Sequence, residues 1–172
     1  MHIKASMVVS AAMLIVGVAD PASACRGIQM SSPASLVERA ALIVHVRAEA
    51  ELPTSVLTDN QAGLNRSVRF TVLRTVKGST SLTEMVFNGR LEDRDDFNDH
   101  QVPYSFVRRG GRGGNCFALG YRKGAEYLLL LNRPANQPEG TWTPYWATLT
   151  PTNEQVRGNT DPWLRWVVQQ IK

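Results

Sequence analysis

The run Asn115–Asn132, NCFALGYRKGAEYLLLLN, decides how the chain is read. Cys116, one of two cysteines, opens it. Tyr121-Arg122-Lys123-Gly124 reads as a turn, because Gly124 takes positive φ without steric cost. Tyr127 to Leu131 is an unbroken apolar run of strand length. A run without alternation fits a strand buried on both faces, although a buried helical segment shares that pattern. Gly124 ahead of it and Asn132-Arg133-Pro134 behind it set its length and favour the strand.

Working upstream, the chain alternates twice. In Ala41–Glu51, Leu42, Val44, Val46 and Ala48 oppose Ile43, His45, Arg47 and Glu49, which predicts a strand with one buried face. Val68–Val76 alternates in the same way and ends at the turn Lys77-Gly78-Ser79. The polar segment from Pro53 to Arg66 between them reads as a loop. Leu82–Phe87 is a third strand, closed by Asn88-Gly89. Pro33 suits a helix first turn, and Ser35 to Glu38 has capping-box spacing, so a short helix is expected over 33–40. Cys116–Leu119 is expected as a fourth short strand, ahead of the fifth at Tyr127–Leu131. Residues 90–114, charged and then glycine-rich, form an irregular insertion.

Downstream, Trp142–Leu149 is aromatic-rich and extended, with Pro144 pointing to an edge. Asp161-Pro162 begins a helix as N-cap and first residue, with Trp163, Trp166, Val167 and Ile171 as its buried stripe. The fold expected is mainly β, a small barrel or sandwich with a short N-terminal helix and a C-terminal helix packed outside. An OB-like five-stranded barrel is one such solution.

Composition and the N-terminus bound the function. Residues 1–24 carry Lys4, a stretch of mostly apolar and small residues from Met7 to Val18, and Ala22-Ser23-Ala24. Together they read as a secretory signal peptide. No window is apolar for long enough to make a transmembrane segment. Residues 25–172 are then one secreted or periplasmic domain. The formal charge is +4, and Arg outnumbers Lys by 15 to 4. Two cysteines in an exported chain most simply form one disulfide, Cys25 to Cys116. It would close a loop of roughly 90 residues, worth about 4–5 kcal/mol at most on chain entropy alone. The competing reading is a lipid anchor on Cys25 with Cys116 as a thiol, although Ala-Ser-Ala-Cys is a poor lipobox.

The order of these pieces resembles the netrin-like domain of the tissue inhibitors of metalloproteinases and their bacterial relatives. The resemblance covers roughly Cys25 to Asn132. It rests on the cysteine at the mature start, the helix running into ERAALIVHVRAEAE, the strand ending in Val76-Lys77-Gly78, and Cys116-Phe117-Ala118-Leu119-Gly120 leading into Lys123-Gly124-Ala125-Glu126-Tyr127-Leu128. It implies an OB-like barrel and a protein partner, a zinc metalloprotease. The α-amine and carbonyl of Cys25 would bind the protease metal, and Arg26 would enter its specificity pocket. Gly27 stands where family inhibitors carry a second cysteine, and Arg26 where they usually carry a small Thr or Ser.

Other candidates have plainer explanations. Glu92, Asp93, Asp95, Asp96, Asp99 and His100 could supply oxygen ligands to Ca²⁺, but they lack EF-hand spacing and read as a solvated loop. Arg108–Gly114 looks like a short Arg-Gly-Gly element. Export argues against nucleic acid, and the run reads as a flexible basic connector paired to the acidic stretch. His45 is a lone strand histidine. Trp142, Tyr145 and Trp146 read as packing rather than as a sugar or peptide groove. Asn65-Arg66-Ser67 is a glycosylation sequon, usable only in a eukaryotic host. No catalytic motif and no cofactor-binding motif is present, so the chain reads as a non-enzymatic binding module or a structural envelope protein.

N-terminal sequencing of exported protein is expected to begin at Cys25. A start elsewhere would remove both the chelating and the anchored reading of that residue.

Overall fold

The computed structural model describes residues 31–53, 66–113, 116–138, 140–145 and 147–171. The chain runs α1 (Pro33–Arg39), β1 (Leu42–Pro53), β2 (Arg66–Lys77), β3 (Glu84–Asn88), β4 (Arg90–Glu92), β5 (Gly120–Arg122), β6 (Glu126–Asn132), β7 (Thr143–Pro144), β8 (Asn153–Val156) and α2 (Pro162–Gln170). It is mainly β. The principal sheet has the order β3-β2-β1-β6-β7, with β8 also pairing β6, and every pairing in it is antiparallel. β4 and β5 form a separate parallel pair. Among the described residues no ladder joins β3 to β7 or β8, so the sheet is not closed by hydrogen bonds.

β6 is the axis of this arrangement and is buried along Tyr127–Leu131, as the unbroken apolar run predicts. Tyr127, Leu129 and Leu131 join one core with Leu42, Val44, Val46, Phe70 and Phe87. Leu128 and Leu130 point the other way, into a second core with Leu36, Val37, Trp163, Leu164 and Val167 of the two helices. Successive strand side chains alternate between faces, so a sheet covered on both sides needs an apolar residue at every position.

The same two-sided cover corrects the reading of β1. Ile43 and His45, expected on an open face, are 0% and 2% exposed, because α1 and α2 lie over that side. The strand opens only from Arg47 onward. Three further expectations shift. The strand expected at Cys116–Leu119 lies at Gly120–Arg122, which leaves Lys123 and Gly124 as the turn, and Arg90–Glu92, read as part of the irregular insertion, forms β4. Ser32, not Ser35, is the α1 N-cap: its Oγ accepts the Ser35 N–H at 3.2 Å.

The helices are fixed at their ends. Asp161 caps α2, its Oδ1 accepting the Trp163 N–H at 2.9 Å. The expected stripe holds for Trp163 and Val167, with Leu164 as the third buried residue. Trp166 and Ile171 pack at the rim. At the other end of the chain, Lys77 Nζ donates to the carbonyls of Val37 and Glu38, the last turn of α1. A cation there satisfies carbonyls that have no helical partner.

Gly78, at φ 75°, follows directly. A Cβ there would lie 2.5 Å from the Ala41 carbonyl oxygen. Gly78→Ala is expected to lower stability by roughly 1–3 kcal/mol. A denaturant midpoint equal to that of the parent would contradict the close approach.

Candidate functional site

The charged insertion folds back onto β8 around one buried cation. Arg108 is 0% exposed. Its Nε donates to the Asn153 carbonyl at 3.0 Å, one terminal nitrogen to Asp96 Oδ2 at 2.6 Å and the other to the Ala118 carbonyl at 3.1 Å. The rings of Tyr121 and Tyr127 lie 5.3 and 5.4 Å from the guanidinium carbon. Burial pushes Tyr121 up and Tyr127 up to about 12, so both phenols are neutral. Asn153 Nδ2 donates to the Ala118 carbonyl and to the Tyr121 hydroxyl.

Glu154 is the second buried charge. Its Oε1 accepts the Arg108 N–H at 3.2 Å, and its Oε2 accepts Asn98 Nδ2 at 2.9 Å. Burial outweighs the pull of Arg108 and raises its carboxyl to about 7. Gln155 completes the strand's ties: its Oε1 accepts the Asp96 N–H, and its Nε2 donates to Asp95. All four residues of β8 are buried.

These contacts settle the acidic run. Asp99 carries Arg109 and Arg112, whose hydrogen bonds hold its carboxyl well below the usual carboxylate range. Asp95 carries Arg122 and Gln155, which lower it as well. Among the described residues no group of three or more His, Cys, Asp or Glu is placed to hold a metal. The basic run is paired to the acidic one as its sequence suggests, but its central glycines have another purpose than flexibility. A Cβ on Gly110 would meet Asp96 Oδ2 at 2.5 Å, and one on Gly111 would meet Val107 Cγ2 at 2.6 Å. Only glycine lets the backbone come this close.

His45 is buried as well, 2% exposed. Its Nε2 lies 2.7 Å from Glu126 Oε2, out of line for a hydrogen bond, and its Nδ1 has no partner. Trp142 and Tyr145 do not share a groove. Trp142 packs on the core inside β1 and β2, under the Arg133 guanidinium. Tyr145 packs on the helix side, under that of Arg39. Cys25, Arg26, Asn65 and Trp146 lie outside the described residues.

Cys116 borders the network, two residues before Ala118. Its carbonyl accepts the Leu149 N–H at 2.8 Å, and the Leu149 carbonyl accepts the Val107 N–H at 2.9 Å. Cys116 and Leu149 both take positive φ, 61° and 57°. Non-glycine residues hold that conformation only where surrounding contacts fix it. No protein-family model matches the chain, and a search of curated proteins finds no match either.

β8 and Arg108 had no signal in sequence reading. Asn-Glu-Gln-Val has neither an apolar run nor alternation, and its burial depends on a loop more than 40 residues away. The one available hint was charge: an acidic run followed closely by an arginine run.

The raised carboxyl of Glu154 gives stability a pH dependence. An unfolded glutamate ionises near 4.5, whereas the folded one keeps its proton to about 7. Between these values the folded state binds more protons. Its stability therefore falls as pH rises through that window and levels off above it, by up to about 3 kcal/mol. The lowered carboxyls of Asp95 and Asp99 act below pH 4 and in the opposite sense. Glu154→Gln is expected to lose the decline between pH 4.5 and 7, at a pH-independent cost from its amide facing Asn98. Urea midpoints at pH 4.5, 6 and 8 test this, and parallel curves for the two proteins would refute it.

Proposed function

We propose that the chain is an exported, non-enzymatic protein-binding module of the netrin-like type, built on an OB-like barrel. Its working part is the N-terminal segment beginning at Cys25, pinned by a Cys25–Cys116 disulfide and directed at a zinc metalloprotease. In this reading it is secreted or periplasmic. Three register shifts along β1 favour the barrel, since such irregularities let one long strand bend between two sides of a sheet.

The observation that supports the reading is the anchoring of Ser31 ahead of α1. The Arg39 guanidinium donates to Ser31 Oγ and lies over the Tyr145 ring, 5.5 Å from its centroid. Leu149, four residues beyond Tyr145, donates to the Cys116 carbonyl. Tyr145 to Leu149 spans about 14 Å at most, and the six residues from Cys25 to Ser31 about 20 Å. In this reading the six residues from Cys25 to Ser31 bridge to Cys116. The described residues contain no free thiol, which agrees with a pairing of Cys116. A disulfide leaves the Cys25 α-amine available, and once neutral that amine is a metal ligand.

Two experiments test this. Thiol titration of unfolded, unreduced protein is expected to find almost no thiol, and Cys116→Ser to lower stability by about 2–5 kcal/mol. An acylated Cys25 with a titratable Cys116 would show an envelope-anchored protein instead. A panel of zinc metalloproteases is then assayed against the mature protein, a form with one Ala added before Cys25, and Arg26→Thr. Micromolar inhibition by the mature form is expected, weakening below the amine's ordinary pKa of ~7.7–8.0 after correction for each protease's own profile. The Ala-extended form should not inhibit, because an amide nitrogen is a very poor ligand. Arg26→Thr should extend inhibition to apolar pockets, where an unpaired guanidinium costs several kcal/mol. Absence of inhibition by every form, or equal inhibition by the extended form, would sink the inhibitor reading.

A further inference from the structure

A groove of about 480 Å³ opens where the β5–β6 turn meets the end of β8. Arg122, Lys123 and Glu126 lie on the β5–β6 side, and Asp95, Phe97 and Arg157 are also in the lining. Both carboxylates are already engaged. Asp95 is held by Arg122 and Gln155, and Glu126 faces the buried Nε2 of His45 at 2.7 Å. Lys123 and Arg157 are exposed and make no salt bridge within the described residues.

Arg157 is prepared for a planar ligand. Its guanidinium lies over the Phe97 ring, 3.9 Å from the centroid. Such stacking fixes the plane of the fork and leaves its edge for a bidentate contact with a carboxylate. Glycines let a main chain approach between the cations. Glu126 pairs with Val156, which puts Gly124 and Gly158 two steps beyond that pair, just outside the ends of β6 and β8. A Cβ on Gly124 would meet nothing within 4 Å, and one on Gly158 only Glu126 Oε2 at 3.7 Å.

We propose that this groove binds an acidic peptide segment, with one carboxylate on the Arg157 fork and another at Lys123. A compact multiply charged oxyanion fits less well. It would face Asp95 and Glu126 in the same lining, whereas carboxylates spaced along a peptide can avoid both. The site is separate from Cys25 and does not depend on the protease reading.

The probe is an end-capped hexapeptide of alternating Glu and Gly, titrated into the purified protein by calorimetry at low salt. Submillimolar binding is expected, weakening as salt is added. The double variant Lys123→Gln, Arg157→Gln should bind about tenfold or more weakly, since charge-assisted hydrogen bonds carry the contact. Arg157→Lys, which keeps the charge and loses the fork, should fall between. Arg165→Gln, an exposed cation elsewhere, should bind as the parent does. Lys123→Gln alone, on an exposed turn, gives a readout of about threefold even if the Arg157 variants unfold. No heat at millimolar peptide, equal binding by the double variant, or inorganic phosphate binding as tightly as the peptide would each overturn the proposal.

Discussion

The burial of Arg108 is the constraint on which the rest of this fold depends. A guanidinium cannot lose its charge to escape a dry site, so each of its three nitrogens needs an acceptor. The chain meets them from three separate places: the Asp96 loop, the Ala118 carbonyl ahead of β5, and the Asn153 carbonyl of β8. Tyr104 of the insertion and Val156 of β8 also meet in the helix-side core, and the arginine ties the three segments to one point. Its neighbour Glu154 is the less comfortable partner. It accepts hydrogen bonds from Asn98 and the Arg108 backbone, yet burial still makes its ionised form unfavourable.

This division explains what could be read from the residues. Where burial is driven by apolar side chains, periodicity reports it, as for β1, β2, β3, β6 and α2. The Tyr127–Leu131 run even gave the two-sided cover of β6. The error at Ile43 and His45 has a simple origin. Alternation at Leu42, Val44, Val46 and Ala48 marks one covered face, but a polar residue such as His45 opposite them does not mark an open one. Here Ile43 on that face packs with the helices. β8 lies beyond any such reading, because polar strand residues become buried only when partners distant in sequence satisfy them. The glycines at 110 and 111 were misleading for a related reason. A close approach between backbone and side chain leaves the same mark in a sequence as a flexible linker.

The candidate site divides in the same way. The pairing of the acidic and basic runs was visible as charge. The role of Cys116 as a fixed point was visible only as one of two cysteines, and its left-handed backbone beside Leu149 was not visible at all. The interior and surface arginines also separate. Arg108, Arg109, Arg112 and Arg122 are consumed by carboxylates of the same insertion, while Arg157 is merely laid flat on an aromatic ring.

β8 follows β1, β2, β3 and β6 in the chain. Until it leaves the ribosome, Arg108 lacks the Asn153 carbonyl and Asn98 lacks its carboxylate. A chain truncated before Asn153 would have to bury a cation with an unmet donor or leave the insertion open. The four-residue polar strand and a loop more than 40 residues earlier are therefore expected to become ordered together.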